Sequence, residues 1–295
     1  MKNLKEWILS IQHLFAMFGA TVLVPLLTGF DPSVAMFCAG VGTLLFHKCT
    51  DFKVPVFLGS SFAFISAINQ VSNAFNGDLR YAQGGIIVAG LIYIIMSIIV
   101  KVVGPEKVTK YFPPQVTGAM IMVIGLNLIP TAVDMAMNNI IVALITLSVA
   151  VGINKFGKGS IRQFSVIIAI FIGILTSKFA GIADFSAVSQ ASYFAIPNFS
   201  VPKFSLQAVV IIAPVVLAVF MEHVGDITTN GAVVGKNFLQ NPGLHKTLLG
   251  DGIATLFAGI IGGPANTTYG ENTALLAITK NYDPKLLRLT AIFAI

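Results

Sequence analysis

Apolar residues run along this chain in long blocks separated by short polar stretches, with neither the strict alternation of a half-buried strand nor the one-sided spacing of a surface helix. Ten blocks can be drawn, at approximately 8–29, 33–47, 54–75, 82–104, 113–131, 136–154, 160–183, 205–235, 246–263 and 264–280. Most approach the roughly 20 residues that a helix needs to cross the hydrocarbon of a bilayer. The pattern predicts an all-α polytopic membrane protein. Another apolar run, Leu289–Ile295, begins after Arg288 and is far short of a crossing, so an eleventh segment is expected to start there and the chain to be truncated after about ten. The first block follows Lys2 and Lys5 as a secretory leader would. It continues through Pro25 without a small-residue cleavage site, and no polar domain follows, so it reads as the first span.

Composition agrees with the pattern. The 295 residues are 56% hydrophobic and 10% charged, against the ~25% charged of an ordinary soluble domain. That excludes a soluble enzyme, a disordered chain and a disulfide-stapled module. Cys38 and Cys49 have no metal-ligand spacing and read as two reduced thiols. The net charge of +6 could suggest nucleic acid, but the placement of the basic residues argues for a membrane. With a cytoplasmic N-terminus, fifteen of the eighteen lysines and arginines fall in cytoplasmic loops, and only Arg80, Lys178 and Lys203 fall outside. Such asymmetry is the positive-inside signature.

Two blocks spoil their own helices. In the third, Pro55 and Gly59 precede Ser60, Ser61 and Phe62; in the tenth, Pro264 precedes Asn266, Thr267, Thr268, Tyr269 and Gly270. Good helix formers take over only afterwards, so both blocks are expected to start extended and then turn helical. Backbone of that kind is tolerated within a membrane only where protein or a water-filled cavity surrounds it. A half-helix starting there also offers free N–H groups and a positive dipole end. Two such segments, seven spans apart, fit a transporter built from two inverted repeats with its cargo at their interface. Ordinary kinked helices, or the re-entrant loops of a channel, are the competing reading.

Acidic residues narrow the choice. Glu222 lies about 24 Å along a helix begun at Leu206, near its middle, and Asp226 one turn later shares its face. Two acids so placed can share a proton or a ligand, and acids within a membrane usually line a pathway. A structural buried pair with His223 or Thr228 is the plainer alternative. Glu271 adds a third carboxylate in the first turn of the half-helix in block ten. His13 reads as a packing or interfacial residue rather than a proton relay. Asn266, Thr267, Thr268 and Asn272 can satisfy irregular backbone as readily as a ligand, and Phe62 alone among the phenylalanines is placed by an interrupted segment. No His-Glu-x-x-His metal site and no nucleophile–base pair is present, so no enzymatic role is expected.

The stretches Ser10 to Pro25 (with Gln12, His13 and Gly19), Leu58 to Ile65 (with Gly59, Ser60, Ser61 and Phe62), Glu222-His223-Val224-Gly225 and Asn266 to Asn272 closely resemble the nucleobase:cation symporter-2 family of nucleobase and ascorbate transporters, and within it the bacterial uracil permeases. The resemblance covers essentially the whole chain. It implies a 7+7 inverted-repeat fold with a core and a gate domain. On that plan residues 1–110 are core segments 1–4, 111–200 are gate segments 5–7, and 201–295 are core segments 8–10 with the start of 11, the rest of the second repeat being absent.

The resemblance also implies a function: a secondary active transporter that imports uracil across the cytoplasmic membrane by cation symport, with alternating access through movement of the core against the gate. The proton is the expected coupling ion and sodium the other candidate. Glu222 and Glu271 would hydrogen-bond the base, the main-chain N–H groups of Phe62 and Gly270 would donate to its carbonyls, and Ala20 and Tyr269 would line the pocket. Related purine carriers show Gln-Asn where this chain has Glu271-Asn272, which favours a pyrimidine. Where the uracil type has a histidine one turn after the first glutamate, this chain has Asp226, expected with Glu222 to carry the coupled proton. No cofactor, metal or nucleic acid is implied; uracil or a related nucleobase and the lipid bilayer are the partners, and the family allows a homodimer. A xanthine, purine or other small-solute carrier of the same fold, or a channel, is the alternative.

Overall fold

The computed structural model describes residues 2–158, 160–186 and 196–295. They form two compact units, one from Met1–Ile124 with Pro197–Ile295 and the other from Gly125–Ile196. Helices dominate both, and the described residues contain a single two-stranded sheet. Among the described residues five helical stretches are long and apolar enough to cross a membrane: Glu6–Thr28, Arg80–Val103, Gln115–Met137, Leu206–Val234 and Leu239–Ile261. Ile140–Phe156 and Ile168–Phe179 are apolar but shorter.

The first unit opens with α1 (Lys2–Thr28) and α2 (Pro32–Cys49). Asp31 starts α2 by accepting from the amides of Ser33 and Val34 at 2.7 and 3.3 Å, with Pro32 in the first turn, where a missing N–H costs nothing. The third block becomes the strand β1 (Leu58–Ser60), a short 3₁₀ turn Phe62–Phe64 and α3 (Ile65–Ala74), followed by α4 (Arg80–Val103). The tenth block becomes β2 (Asn266–Thr268) and a ten-residue helix, Gly270–Thr279. Both interrupted blocks thus start extended.

The eighth block is not one continuous helix. It runs Leu206–Ile212 and then Val215–Val234, because Pro214 has no N–H to donate and its ring crowds the preceding turn. Glu222 therefore lies in the second turn of a helix begun at Val215. A similar break divides the fifth block into Pro114–Asn127 and Ile129–Met137, with Pro130 just after it. Cys38 is buried and Cys49 half-buried, both free.

Small residues hold the first unit together. A methyl group on Gly90 of α4 would lie 2.7 Å from the Leu256 amide nitrogen and 2.9 Å from the Gly252 carbonyl oxygen. One on Gly252 would lie 2.9 Å from Tyr93 Cβ. α4 and the helix Leu244–Ile261 therefore touch backbone to backbone, the approach that packs helices where water supplies no driving force. The second unit is the opposite case. Its helix Ile140–Phe156 has no fully buried residue and exposes Ile141, Leu144, Leu147 and Val151.

Loops that the sequence assigns to one face meet one another. Arg80 and Lys203, two of the three basic residues assigned outside, both reach Asp78, at 2.7 and 3.0 Å. On the other face Lys246 pairs with Asp51 at 2.6 Å, and Lys53 donates to Asn241 Oδ1 at 2.9 Å. The hydrogen bond from Arg80, with that from Lys203, holds the Asp78 carboxyl below the usual carboxylate range. That clasp is complete above the ordinary carboxylate pKa and is lost only as pH falls through the lowered value.

Gly90→Val should lower the thermal stability of the detergent-solubilised protein, because the atoms it meets are backbone and overpacking of this kind costs about 1–3 kcal/mol. Gly152→Ala, with nothing within 4 Å of the added methyl, should leave the melting temperature unchanged or slightly raised. Equal melting of the two variants would contradict the close-packed crossing.

Candidate functional site

The site rests on six residues of extended chain. β1 and β2 pair antiparallel, Leu58 opposite Thr268, Gly59 opposite Thr267 and Ser60 opposite Asn266, and all six are buried. The ladder continues outward, Tyr269 N donating to Phe57 O at 3.0 Å and Ser61 N to Ala265 O at 2.9 Å. A two-stranded ribbon has two edges, and in an apolar interior their polar groups need partners. Side chains of the flanking helices supply them. On the β1 side, Leu58 N donates to Thr43 Oγ1 at 2.9 Å, while His47 Nε2 donates to Val56 O at 2.8 Å. On the β2 side, Thr255 donates to Asn266 O at 2.8 Å, and Thr268 N donates to Asp251 Oδ2 at 3.2 Å. Asn230 Nδ2 serves Pro55 O at 3.0 Å.

Beyond the ribbon each chain turns into a helix, so the amides of the 3₁₀ turn at Phe62 and of the first turn at Gly270 and Glu271 begin their helices side by side. Between these starts and the helix Val215–Val234 lies a cavity of about 330 Å³. Its wall includes Ser61, Phe62, Glu222, Asp226, Thr267, Thr268, Tyr269, Gly270, Glu271 and Ile121, all in the first unit. Such a volume is at the small end of the roughly 300–1,000 Å³ typical of small-molecule sites.

Glu222 Oε2 and Ser61 Oγ are buried there without a hydrogen-bond partner. Buried acceptors left unpaired are costly, and the cheapest remedy is a ligand that donates. Asp226 sits against the start of the second half-helix, its Oδ1 3.2 Å from where a methyl on Gly270 would lie. Glycine at 270 thus keeps the carboxylate and the helix start in contact. The rings of Phe62 and Tyr269 are nearly parallel, 5° apart in tilt with centroids separated by 6.5 Å. Tyr269 is pinned by its hydroxyl, which donates to Ser60 O at 2.8 Å, and its ring lies against Gly59, where any side chain would overlap it.

Of the residues singled out in the sequence, Glu222, Glu271, Phe62, Gly270, Tyr269 and Asp226 share this one wall. Ala20 does not. It packs against an apolar cluster that includes Met17, Phe57 and Tyr269, the last of which also lines the cavity. His13 is fully buried, and its Nδ1 donates to Asn272 Oδ1 at 3.1 Å, tying α1 to the residue beside Glu271.

Asp251 is the residue that the sequence reading missed. It is fully buried, and its Oδ2 accepts from Thr268 N and from His223 Nδ1, the latter at 2.9 Å. The other ring nitrogen of His223 meets Thr247 Oγ1 at 2.9 Å. One carboxylate oxygen therefore joins the β2 strand to the residue next to Glu222 and sets how the glutamate helix lies against the ribbon. A lone acid between Gly250 and Gly252, inside an apolar block, was the available signal. Among the described residues no group of His, Cys, Asp and Glu could hold a metal ion.

Comparison with known proteins adds a family. The sequence model of the permease family matches residues 4–295. The chain is 41% identical over 300 residues to a probable uracil permease of Pasteurella multocida, covering 99% of this chain and 72% of that protein. It is 41% identical over 306 residues to the uracil permease of Bacillus caldolyticus, covering 98% and 70%. In three dimensions it resembles the transmembrane domain of a cyanobacterial bicarbonate transporter, with a TM-score of 0.65 over 98% of this chain and 80% of the other; at 15% identity the likeness is one of fold. The chain belongs to the permease family and is a multi-pass membrane transporter, not an enzyme.

Asp251→Asn places an amide nitrogen or a weaker acceptor where Thr268 N and His223 both donate. Leaving one buried donor unmet costs about 1–3 kcal/mol, so the variant should melt several degrees below the parent while Asp226→Asn does not. Equal melting of the two would show that Asp251 does not fasten the ribbon.

Proposed function

We propose that this permease imports uracil together with a cation, the proton being the coupling ion we favour. The observation that supports the reading best is the shared wall: Glu222, Glu271 and the helix starts at Phe62 and Gly270 surround one small cavity. Uracil is a flat ring whose edge carries two N–H donors and two carbonyl acceptors. The carboxylates of Glu222 and Glu271 would accept from the donors, and the amides of Phe62 and Gly270 would serve the carbonyls. Phe62 and Tyr269 offer parallel aromatic faces to the ring. The names of the relatives, probable uracil permease and uracil permease, point the same way.

In this reading the coupled proton sits on the pair Glu222 and Asp226, which lie one helical turn apart and face the same cavity. Filling the cavity with a donor-rich ring satisfies the unpaired oxygen of Glu222, so proton and base are held together and released together. The remaining steps follow the plan of two inverted sevens: the core (1–110 and 201–295) moves against the gate (111–200) and exposes the loaded site alternately to each side, with the N-terminus in the cytoplasm.

Uptake of labelled uracil by cells that lack their own carrier tests this. Expression of the protein should confer saturable uptake that collapses with a proton uncoupler, is competed by unlabelled uracil, and is little affected by xanthine or bicarbonate. Glu271→Gln keeps the shape and removes one charged acceptor worth about 1.5–3 kcal/mol, so uptake at low uracil should fall about 10- to 100-fold. Uptake indifferent to the uncoupler would end the proton half of the proposal, and preferential competition by xanthine would end the uracil half.

A further inference from the structure

The second unit carries a charged cavity that the transport site does not use. It measures about 520 Å³ and is lined by Ala150, Val151, Asn154, Lys155, Arg162 and Ser165. All six belong to one compact unit, where the helices Ile140–Phe156 and Ser165–Phe179 run against each other. The two helices approach each other closely at Gly173, where a methyl group would lie 2.6 Å from Thr146 Oγ1. Nine residues further along the first helix, about 14 Å away, stands Lys155, and there the cavity opens between them.

The charge at that end is one-sided. Lys155, Lys158 and Arg162 cluster there, while the only acids between 125 and 196, Asp134 and Asp184, precede the first helix and follow the second, at the opposite end of the pair. Among the described residues the cavity wall therefore contains two cations and no carboxylate. Arg162 Nε donates to Asn154 Oδ1 at 3.4 Å, which orients the guanidinium and leaves its other donors free. Ser165, buried in the wall, adds a hydroxyl. The flanks are the reverse. Leu147, Val151, Phe156 and Ile161 are all more than half exposed, an apolar surface directly beside the basic cavity.

A basic concavity for a phosphate with an oily surface beside it for chains matches one class of molecule. We propose that this cavity holds the headgroup of an anionic phospholipid, its phosphate held by Lys155 and Arg162 and its acyl chains laid along Leu147 and Val151. Under the topology inferred above the lipid would come from the cytoplasmic leaflet, where basic pockets between helices capture anionic headgroups. Binding at this place does not depend on the cargo, so it can fail or hold without regard to uracil.

Native mass spectrometry and thermal unfolding of the detergent-purified protein, with added phosphatidylglycerol or phosphatidylcholine, test the proposal. Phosphatidylglycerol should stay bound and raise the unfolding temperature by several degrees more than phosphatidylcholine. Each basic residue at a headgroup is worth a factor of about five, so Lys155→Gln with Arg162→Gln should weaken retention about thirtyfold. Lys178→Gln, at the far end of the helix Ser165–Phe179, should leave it intact. If the double variant does not accumulate, Arg162→Gln alone should show a loss of about fivefold. Equal retention of the two lipids, retention unaffected by the Arg162 substitution, or the same stabilisation from inorganic phosphate alone would overturn the proposal.

Discussion

Six residues of extended backbone, enclosed in an apolar helical bundle, cannot leave their amides and carbonyls unpaired, and this constraint organises the first unit. β1 and β2 satisfy each other along one side. Their outer edges are satisfied by Thr43 and His47 of α2, Asn230 of Val215–Val234, Asp251 and Thr255 of Leu244–Ile261, and Tyr269 just after β2. Each of those helices must sit where its side chain can reach the ribbon. Glycine at 59 then follows, because the Tyr269 ring that bonds the ribbon lies directly against it; the helix that carries Asp251 and Thr255 is held in turn by its backbone contact with α4 at Gly90 and Gly252.

The same constraint makes the site. A ribbon that ends in two helix starts leaves N–H groups that no helix can use, and it leaves them next to each other. The cavity forms at that point, and the helix bearing Glu222 and Asp226 closes it. Asp251 and His223 fix the distance between that helix and the ribbon, so a residue outside the cavity wall positions residues within it.

Much of this is legible in the sequence, for physical reasons that differ from residue to residue. The apolar blocks are legible because hydrocarbon demands length and purity. The interruptions show because proline and glycine mark non-helical backbone, and Glu222 shows because an acid inside such a block is expensive. Other features are not local. Nothing in residues 54–65 states that they pair with 264–273, since antiparallel register is a long-range property, and the break at Pro214 competes with a long apolar run that reads as unbroken. Asp251 went unread for the same reason: its partners, His223 and Thr268, are 28 and 17 residues away. Ala20 enters the pocket by resemblance alone; in the structure it packs against the cluster of Met17 and Phe57 that also holds Tyr269.

The central claim is that the cavity between the two helix starts is where a flat, amide-edged ring is held. A structure of the protein determined with uracil tests it most directly. The ring is expected inside the cavity, within hydrogen-bonding distance of the carboxylates of Glu222 and Glu271 and of the amides of Phe62 and Gly270. Uracil found elsewhere, or in the cavity with Glu222 turned away from it, would contradict the account.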